Sequence, residues 1–196
     1  MADEAVQRRT RNLQSGPRSR AVIEAVRAAV AAELDRLGFA GMTMDGVART
    51  AGINRTTLYR RWPTKVALLA ELLEAEIDRL EHAELPEGLD PALREVVAGL
   101  AENLSRREGV ALARAFTAPE PELRGLAETA RLRALMRLRV PFARARANGE
   151  IAADADIDML AHMLFSGAVL WALDAPLDGA AQQRLVTLAL RAAGQA

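Results

Sequence analysis

The segment that decides the fold covers residues 41–69 and reads GMTMDGVARTAGINRTTLYRRWPTKVALL. Thr43 is a good N-cap for a short helix that ends before Gly52, where a glycine permits the left-handed backbone of a tight turn. Asn54 can cap a second short helix, and Pro63 prevents that helix from continuing. The segment therefore predicts two short helices joined by a tight turn, which is the organisation of a helix-turn-helix.

The second short helix has an unusual composition, because six of its seven residues carry hydrogen-bond donors and only Leu58 is apolar. A helix of this composition contributes little to a core, so its polar face needs another explanation. An α-helix fits the major groove of B-DNA, where Arg bonds guanine and Thr meets a thymine methyl or a base edge. Thr57, Tyr59 and Arg61 could reach phosphates, and Arg60 is expected to be a solvated charge. The candidate DNA-binding side chains of this helix are those of Arg55, Thr56, Thr57, Tyr59 and Arg61.

Outside this segment, apolar residues recur at the spacing of amphipathic helices. One such stripe ends at Gly38, a typical helix stop. Another helix is expected to be capped by Asp90 and to begin at Pro91. Further helices are predicted over about 108–117, 121–147 and 156–173, and a last helix follows them. Pro141 lies inside the longest of these, where it predicts either a kink or a break. There is no run of alternating β-branched residues, so the fold class is predicted to be all-α.

Composition excludes several classes of protein. A chain of 196 residues with 51% hydrophobic residues can build its own core, and the lack of cysteine excludes disulfides, thiolate metal sites and cysteine nucleophiles. The two histidines lie far apart without a neighbouring ligand, so neither a metal site nor a cofactor is expected. No apolar run approaches the ~20 residues of a membrane span, and no signal peptide is recognisable. We expect a soluble, cytoplasmic protein that contacts no membrane.

Charge is distributed unevenly along the chain, although the net charge is zero. Residues 1–62 contain 11 Lys and Arg residues and six acids, whereas residues 63–196 contain 15 and 20. A basic N-terminal part on an acidic body suggests contact of the N-terminal part with a polyanion.

The quoted segment resembles the DNA-binding signature of the TetR family of bacterial transcriptional regulators. The resemblance covers about residues 18–70, and the remainder matches only in its helical character. Gly46 departs from the pattern, since a helix former is usual there, and Trp62 replaces the commoner phenylalanine. The matching residues are Thr43, Val47-Ala48, Ala51-Gly52-Ile53, Thr57-Leu58-Tyr59, Trp62, Lys65 and Leu68-Leu69.

The resemblance implies a domain organisation and a set of DNA contacts. Residues 1–17 form a flexible arm, residues 18–63 a three-helix helix-turn-helix domain, and residues 64–196 a helical domain for effector binding and dimerisation. Arg55, Thr56 and Tyr59 would face the major groove, with Met44 at its edge. The phosphate contacts would come from Thr43, Thr57, Tyr59, Arg61 and Lys65.

The same resemblance implies a pocket for a small-molecule effector in the larger domain. Met and aromatic residues at helical spacing more often belong to a plain core than to a pocket, so both interpretations stay open for the candidates. Six arginines between positions 131 and 146 either pair with acids elsewhere or receive an anionic effector. The candidate lining residues are Phe116, Met136, Phe142, Met159, Met163 and Phe165.

The main functional hypothesis is a ligand-responsive regulator that binds a palindromic operator of double-stranded DNA as a homodimer, and is released from it by an effector. An alternative is a helical adaptor that binds another protein through the basic helix. The sequence offers no phosphate-binding glycine loop, no paired carboxylates in a distinctive context and no nucleophile–histidine arrangement, so we expect no enzyme and no catalytic residue.

Overall fold

The structure, a computed structural model, describes residues 17–117 and 121–194, and every regular element in those ranges is a helix. The N-terminal helices are α1 (Pro17–Gly41), α2 (Met44–Thr50), α3 (Arg55–Arg61) and α4 (Lys65–His82). The remaining ones are α5 (Leu89–Ser105), α6 (Arg107–Thr117), α7 (Arg124–Ala147), α8 (Ile157–Asp174) and α9 (Gly179–Ala192). The predicted all-α fold class is confirmed. The N-terminal arm that the sequence predicts lies outside the described residues.

The chain divides into two compact units, and the division falls between Leu68 and Leu69, inside α4. We call the part up to Leu68 the first unit and the part from Leu69 the second unit. The sequence places the domain boundary between residues 63 and 64, at the start of the same helix.

The first unit is built on α1, which packs its apolar stripe against α2. Gly38 has φ 65° and interrupts the helical path of α1, as the predicted glycine stop requires. Its core contains the apolar residues of the helix-turn-helix together with those of α1. Its largest fully buried side chains are Trp62, Met42, Leu58, Leu68, Val26 and Val30.

The second unit has one large apolar core, to which α5, α7, α8 and α9 all contribute. Helix α8 is the one helix in the described residues that is long and apolar enough to cross a membrane. Its residues Leu160, Leu164, Phe165 and Ala168 are buried in this core. Because one face of α8 is buried in this core, its length and apolar composition are weak evidence for a membrane span.

Helices α7 and α5 differ from the sequence predictions. Helix α7 runs through Pro141 without a break, so the predicted break is wrong. Helix α5 begins at Leu89, before the predicted cap Asp90, because the side chain of Glu150 supplies an acceptor to the N–H of Leu89 at 3.1 Å. That carboxylate fulfils the role that the sequence assigned to Asp90.

Candidate functional site

The turn between α2 and α3 has the backbone that the sequence predicts. The Oγ1 of Thr43 accepts a hydrogen bond from the N–H of Gly46 at 3.0 Å, which caps α2. Gly52 in the turn has φ 67°, and the side chain of Asn54 caps α3 by accepting from the N–H of Thr56 at 2.8 Å. Leu58 is fully buried and fixes α3 against the core of the first unit. The helix-turn-helix is thus confirmed from its local signals.

The outward face of α3 is polar and accessible. Arg55, Thr56, Thr57 and Arg60 are exposed, and Tyr59 keeps 41% of its surface accessible, so Tyr59 is not a core residue. A helix fixed by one buried leucine therefore presents guanidinium, hydroxyl and phenol donors on one accessible surface.

Asp45 of α2 holds two of these candidate DNA-reading side chains. Its Oδ2 forms a salt bridge with Nη2 of Arg55 at 2.7 Å, and its Oδ1 accepts a hydrogen bond from the hydroxyl of Tyr59 at 3.2 Å. Sequence reasoning missed Asp45, because the contact depends on how α2 and α3 cross. The acid at the start of α2, ten residues before Arg55, was the only available signal. One carboxylate therefore sets the positions of both donors in the free protein.

Met44 requires a correction. Its side chain is 7% exposed and packs in the core of the first unit, so it is not available at the edge of a DNA groove. The apolar chemistry of methionine fits burial at this position better than contact with solvent or DNA. Thr43, which precedes it, is exposed apart from its capping role.

The remaining two phosphate candidates are engaged with the first unit. The Nζ of Lys65 donates to the carbonyl of Phe39 at 3.2 Å and lies 4.3 Å from the centre of its ring. Arg61 donates to Oγ of Ser19 at 3.3 Å and stacks over Trp62. Both side chains are partly buried, so a phosphate would have to draw them away from these partners.

A buried carboxylate lies behind the helix-turn-helix. Glu33 of α1 is 4% exposed, accepts a hydrogen bond from the hydroxyl of Thr50 at 2.9 Å, and pairs with Arg36 at 2.9 Å. The bond from Thr50, followed by the pairing with Arg36, lowers the pKa of Glu33. A Cβ at Gly46 would lie 2.8 Å from Oε2 of Glu33. This close approach explains why a glycine stands at position 46 in the interior of α2.

The second unit contains a cavity of about 110 Å³. Helices α4 to α8 all contribute to its wall, which is mostly aliphatic. The polar side chains in the wall are those of Glu81, Glu95, Asn103, Arg131, Arg133 and Arg137. Apolar concave sites with a few polar groups are the usual form of small-molecule sites, so this cavity is the candidate effector site.

Of the six predicted lining residues, the structure places Phe165 in the wall of the cavity. Phe142 is fully buried in the core of the second unit and does not reach the cavity. The side chains of Met136, Met159 and Met163 are 61%, 56% and 57% exposed, so they lie on the outer surface and are not retained as lining residues. The side chain of Phe116 lies outside the described residues.

Three of the six arginines between positions 131 and 146 pair with acids, as one of the two interpretations expected for this run. Arg133 contacts Glu74 and Asp78 at 2.7 Å and Glu81 at 2.5 Å, and these carboxylates, Glu81 foremost, raise its pKa. The following pairs are Arg131 with Glu128 at 2.5 Å and Arg139 with Asp158 at 2.9 Å. Arg137 differs from them, because the groups that it contacts are backbone carbonyls.

Helices α8 and α9 expose a set of large apolar side chains on their outer surfaces. The two helices approach closely, since a Cβ at Gly167 would lie 3.1 Å from Cδ2 of Leu185. Arg184 of α9 also stacks over the ring of Trp171 in α8 at 5.1 Å. The exposed set, which we call the α8–α9 face, consists of Met159, Met163, Leu170, Trp171 and Leu188.

No metal centre emerges from the part of the chain that the structure describes. In residues 17–117 and 121–194, no group of three or more His, Asp or Glu side chains is arranged to hold a metal ion.

The N-terminal segment is similar to a known protein family. Residues 27–72 match the family model "Bacterial regulatory proteins, tetR family". The match includes most of α1, the helix-turn-helix and the first part of α4. None of the curated proteins is significantly similar to the chain in sequence.

Solved structures resemble the chain over most of its length. GusR of Salmonella enterica has a TM-score of 0.71 at 18% identity, over 92% of this chain and 99% of that one. SmeT in complex with triclosan has a TM-score of 0.70 at 19% identity, over 88% and 91%. The fatty acid degradation regulator FadR of Bacillus halodurans has a TM-score of 0.67 at 16% identity, over 87% and 96%. The TM-scores show a shared fold, and identities this low carry nothing beyond the fold.

Proposed function

Since residues 27–72 belong to the bacterial regulatory proteins of the tetR family, we propose that the chain is a cytoplasmic repressor that binds operator DNA through α3. The observation that carries the proposal is the accessible face of α3. Its donors surround one buried leucine and have no place in the core of the first unit. A polar helix that a rigid turn presents in this way is suited to lie in the major groove.

The side chains of α3 and Thr43 fall into two groups in this proposal. Arg55 bonds the O6 and N7 atoms of a guanine, while Thr56 and Tyr59 meet the neighbouring base edges. Thr43, Thr57 and Arg61 bind phosphates, which position the helix on the duplex without reading its sequence. Tyr59 is long enough to reach a phosphate as an alternative to a base edge.

Lys65 binds a further phosphate in the proposal. It is the first residue of α4, where the free N–H groups and the dipole of the helix favour an anion. The free protein already holds its ammonium group on the carbonyl of Phe39. Binding to DNA therefore exchanges a neutral oxygen acceptor for a charged one.

The α8–α9 face supports assembly as a homodimer. Five large apolar side chains on two adjacent helices are exposed on this face, and a second copy would cover them in a four-helix interface. A two-fold dimer reads a palindromic operator whose half-sites lie about 34–36 Å apart, or a multiple of that distance. Symmetry of the operator therefore follows from symmetry of the protein.

The cavity of the second unit supports a response to a small molecule. Its wall is apolar with a few polar groups, and the structure of SmeT with triclosan shows that a protein of this fold holds a small molecule. In the proposed mechanism the effector binds one conformation of the dimer more tightly than the other. The favoured conformation separates the recognition helices to a distance that no longer matches successive major grooves, so the operator is released.

The salt dependence of DNA binding tests this proposal. The affinity of the chain for a duplex pool of random sequence is measured by fluorescence anisotropy at several salt concentrations. The logarithm of the binding constant should fall linearly with the logarithm of salt, by about 0.9 for each phosphate neutralised. Lys65→Ala should reduce that slope by about one phosphate contact, whereas Arg146→Ala, an exposed arginine of the second unit, should leave it unchanged.

A chain that binds no duplex, or whose binding does not respond to salt, would contradict the proposal. The alternative of a protein-binding adaptor would then be the one to pursue, because a contact of α3 with a protein partner does not require duplex DNA.

A further inference from the structure

The charged groups in the wall of the cavity fall into two classes. Arg131 and Arg133 each contact carboxylates within ion-pair distance, so their charges are neutralised inside the protein. Arg137 of α7 and Glu95 of α5 belong to a second class, because neither forms an ion pair with any residue that the structure describes.

Arg137 has more N–H groups than its hydrogen bonds to the backbone use. It donates from Nη1 to the carbonyl of Glu81 at 3.2 Å and from Nη2 to the carbonyl of Ala83. These carbonyls lie at the C-terminal end of α4, where a guanidinium satisfies backbone acceptors left free by the helix. Since a guanidinium carries five N–H groups, donors remain beyond the two bonds. Burial lowers the pKa of Arg137, which is typical of a cation without a carboxylate in contact.

Glu95 supplies the complementary acceptor. It lines the same cavity from a different helix, where it is exposed, and it attracts Arg137 electrostatically. The two side chains nevertheless do not meet, so a donor and an acceptor of the cavity wall do not satisfy each other. A ligand group placed between them can accept from Arg137 and donate to Glu95.

This arrangement discriminates between head groups by their charge. A carboxylate would gain from Arg137 but would be repelled by Glu95, and an ammonium group would meet the opposite combination. A neutral hydroxyl is donor and acceptor at once, so it satisfies both residues. The anionic effector that the arginine-rich sequence of α7 suggested is therefore disfavoured, because Glu95 would repel it and because three of those six arginines already pair with acids.

The rest of the wall limits the body of the ligand. Leu73, Ile77, Leu100, Leu112 and Phe165 offer only apolar surface. The free volume of about 110 Å³ is of the same order as the apolar cavities of about 150 Å³ that hold benzene in other proteins. The volume of the cavity therefore suits a ligand whose apolar part is one six-membered ring.

We propose that the cavity binds a small, mostly apolar molecule with a neutral hydroxyl head group, which bridges Arg137 and Glu95. The inference rests on the proposed effector role of the cavity, and it adds the chemical class of the effector. The head group accepts from the guanidinium and donates to the carboxylate, while the ring contacts the aliphatic wall.

Four probes with the same ring and one substituent carbon test the proposal: toluene, benzyl alcohol, benzoate and benzylammonium. Their binding to the whole chain is measured by calorimetric titration at pH 7. Benzyl alcohol should bind at least about ten-fold more tightly than the other three, the factor expected for one hydrogen bond to a charged group. Binding of toluene as tight as that of benzyl alcohol, preference for either charged probe, or no binding at millimolar concentration overturns the proposal.

Variants locate the site. Glu95→Gln should improve the binding of benzoate relative to benzyl alcohol by about ten-fold, because the repelling charge is removed. Arg146→Gln, an exposed position on the helix of Arg137, should change neither probe. If the ratio of benzoate affinity to benzyl alcohol affinity is unchanged in Glu95→Gln, the proposed binding site is overturned. Glu95 is the position to vary, because removal of Arg137 would also affect the end of α4. If benzyl alcohol binds as expected but does not release DNA, the effector role fails and the ligand class stands.

Discussion

Replacing Gly46 by alanine should destabilise the first unit, although the same change in an ordinary helix is favourable. Alanine is about 1 kcal/mol better than glycine in the interior of a helix. Here the added Cβ would lie 2.8 Å from Oε2 of Glu33 and 3.1 Å from Oγ1 of Thr43. The carboxylate is the end of a flexible side chain, but it can swing away only by leaving Thr50 and Arg36.

The magnitude follows from those two bonds. Loss of a hydrogen bond to a charged group costs about 1.5–3 kcal/mol, which exceeds the gain in helix propensity. Gly46→Ala should therefore destabilise the first unit by about 1–2 kcal/mol. In a Glu33→Ala background only the contact with Oγ1 of Thr43 at 3.1 Å remains, and the same substitution should stabilise the unit by less than about 1 kcal/mol. The sign of the effect should thus reverse between the two backgrounds.

Urea unfolding of the full chain, followed by tryptophan fluorescence, measures this reversal. The chain has two tryptophans, so Trp171→Phe in every variant leaves the buried Trp62 as the reporter of the first unit. The four members of the cycle are the parent, each single variant and the double variant. An interaction free energy near zero, with Gly46→Ala stabilising both backgrounds alike, would refute the claim that the buried carboxylate requires the glycine.

Three further predictions address pH, DNA discrimination and assembly. The folded-state pKa of Glu33 is lowered, so its ionised form stabilises the first unit above the unfolded pKa of about 4.3, and this stability is lost as the pH falls through the folded value. The loss of unfolding free energy caused by Glu33→Gln, measured by urea unfolding, should therefore be smaller at pH 4 than at pH 7. An equal loss at both pH values would contradict the role of the carboxylate. Asp45→Asn removes a charge that faces DNA and frees Arg55, so anisotropy should show tighter binding to duplexes of random sequence. The ratio of the affinity for the specific operator to the affinity for random duplex should become smaller. An unchanged ratio argues against Asp45 as the residue that positions Arg55. Leu188→Glu should convert a dimer into a monomer in sedimentation experiments, and Leu132→Glu, at another exposed leucine on α7, serves as the control. A parent chain that is already monomeric at micromolar concentration would reject the α8–α9 face as the interface.

The local signals of the helix-turn-helix were readable from the sequence, because each acts over a few residues. Thr43 and Asn54 cap helices whose N–H groups lie two or three positions further on, and Gly52 adopts the left-handed turn by itself. The exposure of α3 followed equally well from its composition, since only Leu58 can be buried. These features therefore needed no knowledge of the tertiary structure.

Features that depend on the crossing of helices were missed. No local pattern indicates that Asp45 reaches Arg55 and Tyr59, or that Met44 turns inward. Gly46 looked like a weakness in α2, and its reason became visible only when α1 placed Glu33 against it. Contacts of this kind are set by the angle and the separation of two helices, which residue spacing does not encode.

The cavity was the hardest part to predict. Apolar periodicity identifies the faces of a helix that avoid water, but not whether a core, a ligand or another subunit covers them. Met159 and Met163 therefore looked like pocket residues, although they are exposed on α8. The wall of the cavity is drawn from five helices, and most of it consists of aliphatic residues without any distinctive sequence signal.

An unbiased selection of duplexes from a random library, with the full chain at moderate salt, shows whether α3 reads DNA. We expect one enriched motif with two-fold symmetry, whose half-sites are separated by about one helical turn or a multiple of it. Arg55→Ala should lose about 1–3 kcal/mol of discrimination at one position of each half-site. A folded chain that enriches no sequence would contradict the claim that α3 reads DNA.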